Sequence, residues 1–452
     1  MQYYFLGIGG IGMSALARYF KLMGNEVCGY DLTPSPLTKA LEQEGIDIHY
    51  DDNPECIPSH VDLCVYTPAV PKETSVYQTI SNRGIPIIKR SAMLGELTRG
   101  MRCIAVAGSH GKTTTSGMIT HLLHHSGIAC NAFLGGISKN IGSNMLWQKD
   151  SQYIVVEADE YDRSFLQLHP TYSVITATDP DHLDIYGTHQ QLLIAFEQYA
   201  SQTAPGGMLL VKHNCSMMEH TSHLQNITNA TAATYASDSQ KADYHPTNIR
   251  TQHGDISFDL STPKGLISNL QLTQTALYNV DNAVAACAIA LQCGVTEPQL
   301  REGLKTFQGM LRRFDVRVRR PQKIYIDDYA HHPNELNACI QSVKSLYPNK
   351  RILGIFQPHL YSRTAEFFDQ FADALSQLDT VILLDIYPAR EKPIPGISSQ
   401  LILDRITTNN KYLYSKQQVL EQLPKLQADV ILTLGAGDID RMVPAIEDLL
   451  TQ

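Results

Sequence analysis

Two glycine-rich segments carry the residues whose types and spacing best suit chemistry. The second segment runs Gly108-Ser109-His110-Gly111-Lys112-Thr113-Thr114-Thr115 and lies between an apolar run and a helical pattern. Glycines let successive backbone N–H groups turn towards one phosphate, the lysine reaches the terminal phosphates, and the threonine hydroxyl binds Mg²⁺. Val106 stands where the common GxxxxGK[ST] pattern has its first glycine, so the segment predicts a compact loop for a nucleoside triphosphate.

The first glycine-rich segment, Gly7-Ile8-Gly9-Gly10-Ile11-Gly12, follows an apolar run and precedes a predicted helix, Met13–Met23. This GxGxxG spacing lets the backbone approach a pyrophosphate at the positive end of the helix. Asp31 lies nineteen residues after Gly12, where a ribose-binding acid is expected. The segment therefore predicts a nucleotide site, and it leaves the nucleotide open, with NAD as one candidate.

Acidic residues follow two later apolar runs. Glu157-Ala-Asp159-Glu160-Tyr-Asp162 comes after the first run, and Asp179-Pro-Asp181-His182-Leu-Asp184 comes after the second. Carboxylates at the C-terminal ends of strands beside a phosphate loop suit Mg²⁺, and His182 can add a nitrogen ligand. Acidic loops are often only solvated surface. Two such clusters after successive strands favour a metal site.

Further polar residues stand downstream. Asn279 and Asn282 lie three apart at the start of an alanine-rich helix, where amides either read a purine ring or cap the helix. Arg312-Arg313-Phe314 pairs two arginines with an aromatic ring. Asp327–Pro333 and Gln357–Thr364 each follow a predicted strand, and the strand C-termini of open α/β sheets are where ligands bind. Within the latter segment, Arg363 suits a carboxylate or a phosphate.

The elements that position these residues alternate between short apolar runs and helix-period segments. Runs without polar alternation are typical of strands buried on both faces, as in parallel α/β sheets. The predicted strands are Tyr3–Leu6, Glu26–Gly29, Leu63–Tyr66, Ile85–Ile88, Cys103–Ala107, Tyr153–Val156, Ser173–Thr176, Gly207–Val211, Ile324–Ile326, Arg351–Ile355, Thr380–Leu384 and Val430–Leu434. A polar segment from about 213 to 262 is either irregular or a small antiparallel patch.

The length of 452 residues fits about three domains, which we place at residues 1–100, 101–311 and 312–452. A net charge of −9 provides no basic field for nucleic acid. Nine scattered cysteines without a CxxC pair predict buried thiols in a reducing compartment. The N-terminus lacks a signal-peptide pattern, and no apolar run approaches the roughly 18 residues of a membrane span. We therefore expect a soluble cytoplasmic protein with neither nucleic acid nor membrane as a partner.

The motifs in chain order are Gly-Ser-His-Gly-Lys-Thr-Thr-Thr, Glu-Ala-Asp-Glu, Asp-His-Leu-Asp, Asn-Val-Asp-Asn, Arg-Arg-Phe, Asp-Asp-Tyr-Ala-His-His-Pro, Phe-Gln-Pro-His and Gly-Ala-Gly-Asp. Together they resemble the Mur ligase family over the chain from Gly7 to about Asp438. The N-terminal Gly-Ile-Gly-Gly-Ile-Gly-Met-Ser is similar to the family member that adds L-alanine. In that member the first domain binds a uridine nucleotide instead of NAD.

The resemblance implies an α/β protein of three domains: a Rossmann-like UDP-sugar domain, a central P-loop ATPase-type domain and a Rossmann-like C-terminal domain. It implies joining of L-alanine to the lactyl carboxylate of UDP-N-acetylmuramate through an acyl phosphate, in peptidoglycan synthesis. ATP and Mg²⁺ would be required. We expect a monomer or a homodimer.

The resemblance also implies roles for individual residues. ATP would be bound by Gly108, Ser109, His110, Gly111, Lys112, Thr113, Thr114, Asn279, Asn282, Arg313 and Asp328. The sugar nucleotide would be bound by Gly7, Gly9, Gly10, Gly12, Asp31, His331, His359 and Arg363, the last two also facing the amino acid. Mg²⁺ would be held by Thr113, Glu157 and His182, and the catalytic residues would be Lys112, Glu157, His182 and Arg313.

The chain departs from the family pattern at three places. Tyr278 stands where the family often has histidine, and Leu360 stands where it often has arginine. Several family members use a carbamylated lysine downstream of the metal-binding histidine, but no lysine lies between His182 and Gly207.

Three other functions compete with the alanine-adding reaction. A recycling ligase of the same family attaches a preformed tripeptide to the same sugar nucleotide, and its first glycine loop differs from the one in this chain. A nicotinamide-dependent oxidoreductase accounts for the first loop and Asp31, but it leaves the Lys112 loop and its acids unexplained. A non-catalytic nucleotide sensor that keeps the fold is the third alternative, and it would not need to retain Lys112, Glu157, His182, Arg313 and Asp328 together.

Overall fold

The computed structural model describes residues 1–220, 224–252, 254–273, 275–389 and 391–451. These residues divide into two compact units. The first unit consists of Met1–Thr247, Asp259–Leu270 and Asp281–Phe307, and the second consists of Asn248–Phe258, Gln271–Val280 and Gln308–Gln452. Each unit contains mainly parallel β-sheet with helices packed on it, as the alternation of apolar runs and helix-period segments predicts.

The N-terminal sheet has five parallel strands in the order β3-β2-β1-β4-β5. Its strands are β1 (Gln2–Leu6), β2 (Glu26–Tyr30), β3 (Asp47–His49), β4 (Leu63–Tyr66) and β5 (Ile87–Lys89). Its helices are α1 (Ile11–Leu22), α2 (Pro36–Gln43), α3 (Ser75–Asn82) and α4 (Arg90–Thr98). The strand order reverses between β1 and β4, which is the crevice where open α/β sheets bind ligands. The first glycine loop follows β1 and therefore lies at this crevice.

The second sheet of the first unit has seven strands in the order β12-β11-β10-β6-β9-β7-β8. Its strands are β6 (Arg102–Ala107), β7 (Cys130–Ser138), β8 (Ser143–Leu146), β9 (Tyr153–Glu157), β10 (Pro170–Ile175), β11 (Met208–Lys212) and β12 (Thr231–Tyr235). Its helices are α5 (Lys112–His125), α6 (Leu183–Tyr186), α7 (His189–Ser201) and α8 (Ser216–His220). Strand β6 carries the second glycine loop, and its neighbours β9 and β10 carry the two acidic segments. All three segments therefore leave the same edge of the sheet from adjacent strands.

A smaller sheet of three strands, in chain order, consists of β13 (His245–Gln252), β14 (Asp255–Thr262) and β15 (Gly265–Leu272). Helices α9 (Asn279–Gln292) and α10 (Glu297–Thr306) follow it. Side chains of β14 alternate between buried and partly exposed, as expected for a strand with one covered face. The irregular alternative for the segment from about 213 to 262 is therefore wrong, because its described part contains β12, β13 and β14.

The sheet of the second unit has six strands in the order β16-β17-β21-β18-β19-β20. Its strands are β16 (Asp315–Arg320), β17 (Lys323–Asp328), β18 (Ile352–Phe356), β19 (Thr380–Leu383), β20 (Asn410–Leu413) and β21 (Val430–Leu434). Its helices are α11 (Pro333–Leu346), α12 (Tyr361–Leu375), α13 (Ser399–Leu403), α14 (Lys416–Gln422) and α15 (Val443–Thr451). Both central strands, β18 and β21, are wholly buried, which explains their continuous apolar sequence.

Every strand predicted from the sequence is present, with ends displaced by three residues or fewer. The expectation of purely parallel sheets is corrected at two edges, because β8 pairs antiparallel with β7 and β16 pairs antiparallel with β17.

The expectation of buried thiols is also corrected, since Cys56 is exposed and Cys28 is partly exposed. Among the described residues, all helices are too short or too polar to cross a membrane.

The packing of α4 yields a test of the fold. A Cβ atom on Gly95 would lie 2.4 Å from the backbone oxygen of Gln167, whereas the nearest atom to one on Gly303 in α10 would be the movable Leu122 Cδ2 at 2.6 Å. We expect Gly95→Ala to lower the free energy of unfolding by about 1–3 kcal/mol through overpacking. Gly303→Ala is the matched control and should stay within about 1 kcal/mol of the wild type, because alanine favours the helix. Urea unfolding measures both, and equal losses would contradict the close approach at Gly95.

Candidate active site

The phosphate loop between β6 and α5 depends on two glycines in the left-handed region. Gly108 has φ +132° and Gly111 has φ +85°. A Cβ atom on Gly108 would lie 2.3 Å from Thr176 Oγ1, and one on Gly111 would lie 2.7 Å from Asn282 Oδ1. The loop therefore needs glycine at both positions, for backbone conformation and for space. Helix α5 begins immediately after Gly111, so the unpaired N–H groups of its first turn are available to a phosphate.

Hydrogen bonds to the segment that directly follows the neighbouring strand β10 hold this loop. The backbone N–H of Ser109 donates to Ala177 O at 3.0 Å, and its hydroxyl donates to Asp179 O at 2.9 Å. The Thr176 hydroxyl donates to Ala107 O at 3.1 Å and also to His110 O. The loop is thus fixed to the residues that lead from β10 into the second acidic segment. Such anchoring keeps a phosphate site in shape before the ligand arrives.

Lys112 is held by a buried carboxylate. Its Nζ donates to Glu160 Oε1 at 2.8 Å, to Glu160 Oε2 at 2.9 Å and to Gly108 O at 2.6 Å. Burial alone lowers the pKa of Lys112, but the carboxylates of Glu160, Asp159 and Glu157 together raise it to about 12. Lys112 therefore stays cationic at neutral pH. Glu160 is fully buried and was not among the predicted site residues, although it lies in the acidic segment after β9.

The acidic residues form two groups at this sheet edge. The ligand atoms of Glu160, Asp181 and His182 lie within 4.8 Å of one another, and carboxylate oxygens are the donors that Mg²⁺ prefers. This donor set fits a divalent cation. Glu157, which was predicted as a metal ligand with His182 and Thr113, accepts a hydrogen bond from the N–H of Gly135 at 3.0 Å.

Thr113 is buried in the first turn of α5, next to Lys112 in the chain. The predicted residues Thr113, Glu157 and His182 thus lie in three neighbouring segments at one sheet edge: the start of α5, the end of β9 and the segment after β10. The structure places Glu160 and Asp181 beside His182 in addition.

The first glycine loop is shaped by its neighbours in the N-terminal sheet. Gly7 has φ +84°, and a Cβ atom there would lie 2.6 Å from Thr67 Cγ2. The N–H of Gly9 donates to Asp31 Oδ2 at 2.8 Å, so the predicted ribose-binding acid also fixes the loop itself. A Cβ atom on Gly12 would lie 2.7 Å from Arg90 Nη1. The loop backbone therefore lies directly against an arginine that was not predicted as a site residue.

A cavity of about 260 Å³ connects the first glycine loop with the first acidic segment. Gly10 and Gly12 line it from the loop, and Glu157 and Asp159 line it from the end of β9. The remaining lining residues are Ile11, Met13, Ala15, Leu16, Thr67, Arg90, Leu94, Phe133, Leu134 and Gly135. The cavity is thus mostly apolar, with a helix N-terminus at one end and carboxylates at the other.

Arg90 is the cation of this cavity. Its Nη2 lies 3.6 Å from Asp159 Oδ2, and its guanidinium touches the loop at Gly12. The available sequence signal was weak, because Lys89-Arg90 simply follows a predicted strand. Its position at the end of β5, on the side of the crevice formed by β4, becomes clear only from the strand order.

The two asparagines at the start of α9 have different partners. Asn279 Nδ2 donates to Thr275 Oγ1 at 2.6 Å, which ties the start of the helix to the preceding segment. Asn282 Oδ1 accepts from the Thr115 hydroxyl at 3.1 Å and lies beside Gly111. The contact of Asn282 with the phosphate-loop region therefore supports the loop geometry.

In the second unit, Asp328 organises the end of β17. It accepts hydrogen bonds from the N–H of Phe314 at 2.6 Å, the N–H of Ala330 at 2.8 Å and the hydroxyl of Tyr278 at 3.3 Å. Burial raises the pKa of Asp328 to about 6, although Arg313 opposes that rise. Tyr278, a departure from the family pattern, thus supports Asp328.

The remaining predicted residues of the second unit cluster at the end of β18. The rings of His331 and His359 are 6.0 Å apart, and Arg363 Nη1 lies 3.4 Å from His359 Nδ1. Burial lowers the pKa of His359 to about 4, with His331 and Arg363 adding to the effect. His359 is therefore neutral at pH 7, which leaves Arg363 as a cation suited to an anionic group. Leu360, the other departure, immediately precedes α12 and has φ +73°.

Comparisons with known proteins identify similar sequences and a similar solved structure. Sequence models of three Mur ligase domains match the chain. The Mur ligase family catalytic domain matches residues 2–102, the Mur ligase middle domain matches residues 106–290, and the Mur ligase glutamate ligase domain matches residues 312–437.

Similar proteins extend over the whole chain. UDP-N-acetylmuramate–L-alanine ligase of Phocaeicola vulgatus is 48% identical over 455 residues, covering 99% of this chain and 98% of that protein. The protein of the same name from Porphyromonas gingivalis is 49% identical over 453 residues, with coverage of 99% and 98%. The crystal structure of UDP-N-acetylmuramate-alanine ligase MurC from Thermotoga maritima matches with a TM-score of 0.84 at 29% identity, covering 99% of this chain and 100% of that one.

The two ends of α5 provide a matched test of the phosphate loop. Gly111 and Gly127 both have positive φ, but a Cβ atom on Gly127 would meet nothing within 4 Å. Either alanine variant should cost about 1–2 kcal/mol of stability through the left-handed backbone. Only Gly111→Ala should also weaken ATP binding, by at least about tenfold, because its new methyl group collides with Asn282 and displaces the loop amides. Calorimetric titration with ATP measures this, and equal affinities in the two variants would contradict the assignment of the loop.

Proposed function

This chain belongs to the Mur ligase family, and we propose that it joins L-alanine to the lactyl carboxylate of UDP-N-acetylmuramate while ATP is converted to ADP and phosphate. Two relatives at 48% and 49% identity over nearly their whole length carry the name of this reaction. Family membership also replaces the oxidoreductase interpretation of the first glycine loop. The product would serve peptidoglycan synthesis, and we assign the protein to the cytoplasm as a monomer or homodimer.

The cavity of the first unit is the observation that carries the proposal. It begins at Gly10 and Gly12, where a helix N-terminus suits the diphosphate of a sugar nucleotide, and it ends at Glu157 and Asp159. Asp159 immediately precedes Glu160, which holds the phosphate-loop lysine. A sugar nucleotide bound along this cavity would therefore bring its lactyl carboxylate towards the γ-phosphate of ATP.

The proposed reaction has two steps. A lactyl carboxylate oxygen attacks the γ-phosphorus of ATP, the bond from that phosphorus to the β–γ bridging oxygen breaks, and ADP leaves with the bonding electrons. The amine of L-alanine then attacks the carbonyl carbon of the acyl phosphate, the C–O bond to phosphate breaks, and the amine loses a proton as the amide forms. Negative charge builds up in both steps, so Lys112 and the N–H groups at the start of α5 would stabilise it.

A divalent cation would be held at the edge formed by β9, β6 and β10. We assign this role to the predicted residues Thr113, Glu157 and His182, together with Glu160 and Asp181, whose carboxylates lie beside His182. Bound Mg²⁺ would neutralise phosphate charge that the protein's own cations do not reach.

The domain division at residues 1–100, 101–311 and 312–452 is part of the proposal. The first domain would bind the uridine nucleotide through Gly7, Gly9 and Asp31, and the second would bind ATP through the phosphate loop. In the third domain, Arg313 and Asp328 would contact ATP. His331, His359 and Arg363 would hold the anionic groups of the sugar nucleotide and the amino acid, since this cluster presents a cation beside the neutral imidazole of His359.

Replacement of Arg90 tests the sugar-nucleotide cavity. We expect Arg90→Met to raise the KM for UDP-N-acetylmuramate by about 10–100-fold, because a charge-assisted hydrogen bond contributes about 1.5–3 kcal/mol. Its effect on the KM for L-alanine should be small. Arg83→Met is the control, because Arg83 is exposed at the end of α3 and its guanidinium donates to Pro58 O, away from the cavity. An unchanged KM for the sugar nucleotide in Arg90→Met would contradict the placement of this substrate.

Phosphate release tests the reaction itself. With ATP, Mg²⁺ and UDP-N-acetylmuramate, we expect release with L-alanine and much slower release with glycine, L-serine or L-Ala-D-Glu-meso-diaminopimelate. Because Lys112→Met alone would leave Glu160 buried without its cation, the test uses the double variant Lys112→Met/Glu160→Gln beside Glu160→Gln alone. The double variant should be at least about 100-fold slower than Glu160→Gln, since it lacks a charge that stabilises the transition state. Release only with the tripeptide would point to the recycling ligase, and no release with any acceptor would leave a nucleotide sensor.

A further inference from the structure

The segment that leaves β9 holds three carboxylates with different partners. We call residues 159–162 the acidic turn. Asp159 and Asp162 contact cations of the N-terminal sheet, whereas Glu160 between them contacts the phosphate-loop lysine. All of these residues belong to the first compact unit. The turn therefore touches the sugar-nucleotide cavity and the phosphate loop at once.

On the side of the N-terminal sheet, two consecutive residues hold the turn. Lys89 Nζ donates to Asp162 Oδ2 at 2.5 Å, and Arg90 Nη2 lies 3.6 Å from Asp159 Oδ2. Arg90 lines the cavity, but Lys89 does not. An anionic ligand in the cavity would compete with Asp159 for Arg90, while the Lys89 contact lies outside its reach.

On the side of the phosphate loop, the Glu160 carboxylate is paired with the Lys112 amine. A bound triphosphate would need the same amine. Both carboxylate oxygens of Glu160 lie within 2.9 Å of Lys112 Nζ, and Glu160 is fully buried. A buried carboxylate does not readily give up its cation. Full engagement of Lys112 by the γ-phosphate therefore requires that Glu160 moves or shares its partner.

The backbone of the turn is held in an unfavourable conformation. Asp162 has φ +47° and the next residue, Arg163, has φ +60°. Consecutive non-glycine residues in the left-handed region persist only where surrounding contacts hold them. Those contacts include the Lys89–Asp162 pair and the bond from the Ser164 hydroxyl to Asp162 Oδ1 at 2.5 Å. Loss of a contact between the acidic turn and Lys89 or Arg90 would therefore make it less costly for Glu160 to move away from Lys112.

We infer that the acidic turn couples the two nucleotide sites, with Lys89 as a positioning residue that keeps Glu160 on Lys112 until the sugar nucleotide binds. The inference rests on the proposed function. The diphosphate of the sugar nucleotide draws Arg90 from Asp159, the turn loosens, and Glu160 releases Lys112 to the triphosphate. By linkage, ATP strengthens binding of the sugar nucleotide by the same factor.

Calorimetric titration with a non-hydrolysable ATP analogue and Mg²⁺, with and without saturating UDP-N-acetylmuramate, tests the coupling. In the wild type we expect the Kd for the analogue to fall at least about fivefold when the sugar nucleotide is present. In Lys89→Met the turn is already loose. The Kd of Lys89→Met for the analogue without sugar nucleotide should approach the wild-type Kd measured with sugar nucleotide. The ratio of the variant's Kd without sugar nucleotide to its Kd with it should therefore fall below about 2.

Three further variants make the result specific. Asp162→Asn removes the same contact from the other side and should give the same ratio, so it decides the question if Lys89→Met does not fold. Lys89→Arg keeps the charge and should restore the wild-type ratio. Arg99→Met, which removes an exposed ion pair with Glu96 at the end of α4, should change nothing.

A ratio near 1 in the wild type, or an unchanged ratio in Lys89→Met and Asp162→Asn, would overturn the coupling while both ligands still bind. Failure of the wild type to bind UDP-N-acetylmuramate at all would instead overturn the proposed function, and the coupling with it.

Discussion

The buried ion pair between Lys112 and Glu160 is the interaction on which the site depends. Glu160 is fully buried, and a carboxylate in such a place persists as an anion only beside a cation. The pair joins the loop after β6 to the segment after β9, so it also fixes two of the adjacent strand ends. Removing one partner of a buried pair typically costs about 3–5 kcal/mol, which explains why the loop and the acidic turn behave as one structure. The same pair keeps a positive charge at the proposed triphosphate site.

A second buried contact fixes the position of the N-terminal sheet. Asn144 of β8 donates to Ile11 O at 2.5 Å and to the Ser14 hydroxyl at 2.9 Å, and its oxygen accepts from Arg18 at 2.5 Å. Asn144 is fully buried, so its donors and acceptor have to be satisfied within the protein. Because Ile11 and Ser14 lie in the first turn of α1, this contact fixes the first glycine loop relative to the second sheet. The cavity between the loop and the end of β9 depends on this relative position of the loop and the second sheet.

Sequence reasoning identified the candidate site residues whose chemistry is local. Gly108, Gly111 and Lys112 lie within five residues, and their roles follow from backbone freedom and charge at that spacing. Arg90 and Glu160 were missed because their importance comes from neighbours far away in the chain, Gly12 and Lys112. Single arginines and glutamates after strands are too common to indicate such contacts. Strand order, which brings β5 and β9 to the cavity, was not available from apolar runs alone.

The strands show the same difference between features that the local sequence reveals and features that it does not. Central strands such as β6 and β21 are buried on both faces, so their continuous apolar sequence identified them. Edge strands such as β16 and β20 carry polar and basic residues because one side faces solvent, and they escaped prediction for that reason. Strand β7 was not predicted because Gly135 interrupts its apolar sequence. The glycine is needed there, since a Cβ atom on Gly135 would lie 2.2 Å from Glu157 Oε2.

Transfer of isotope from substrate to phosphate tests the central claim most directly. The measurement uses UDP-N-acetylmuramate labelled with heavy oxygen in its lactyl carboxylate, together with ATP, Mg²⁺ and L-alanine. Mass spectrometry of the released phosphate follows the label. The account predicts that each phosphate carries a single heavy oxygen, because the carboxylate oxygen that attacks the γ-phosphorus leaves with it. Unlabelled phosphate released together with the amide product would contradict an acyl phosphate and the site geometry proposed for it.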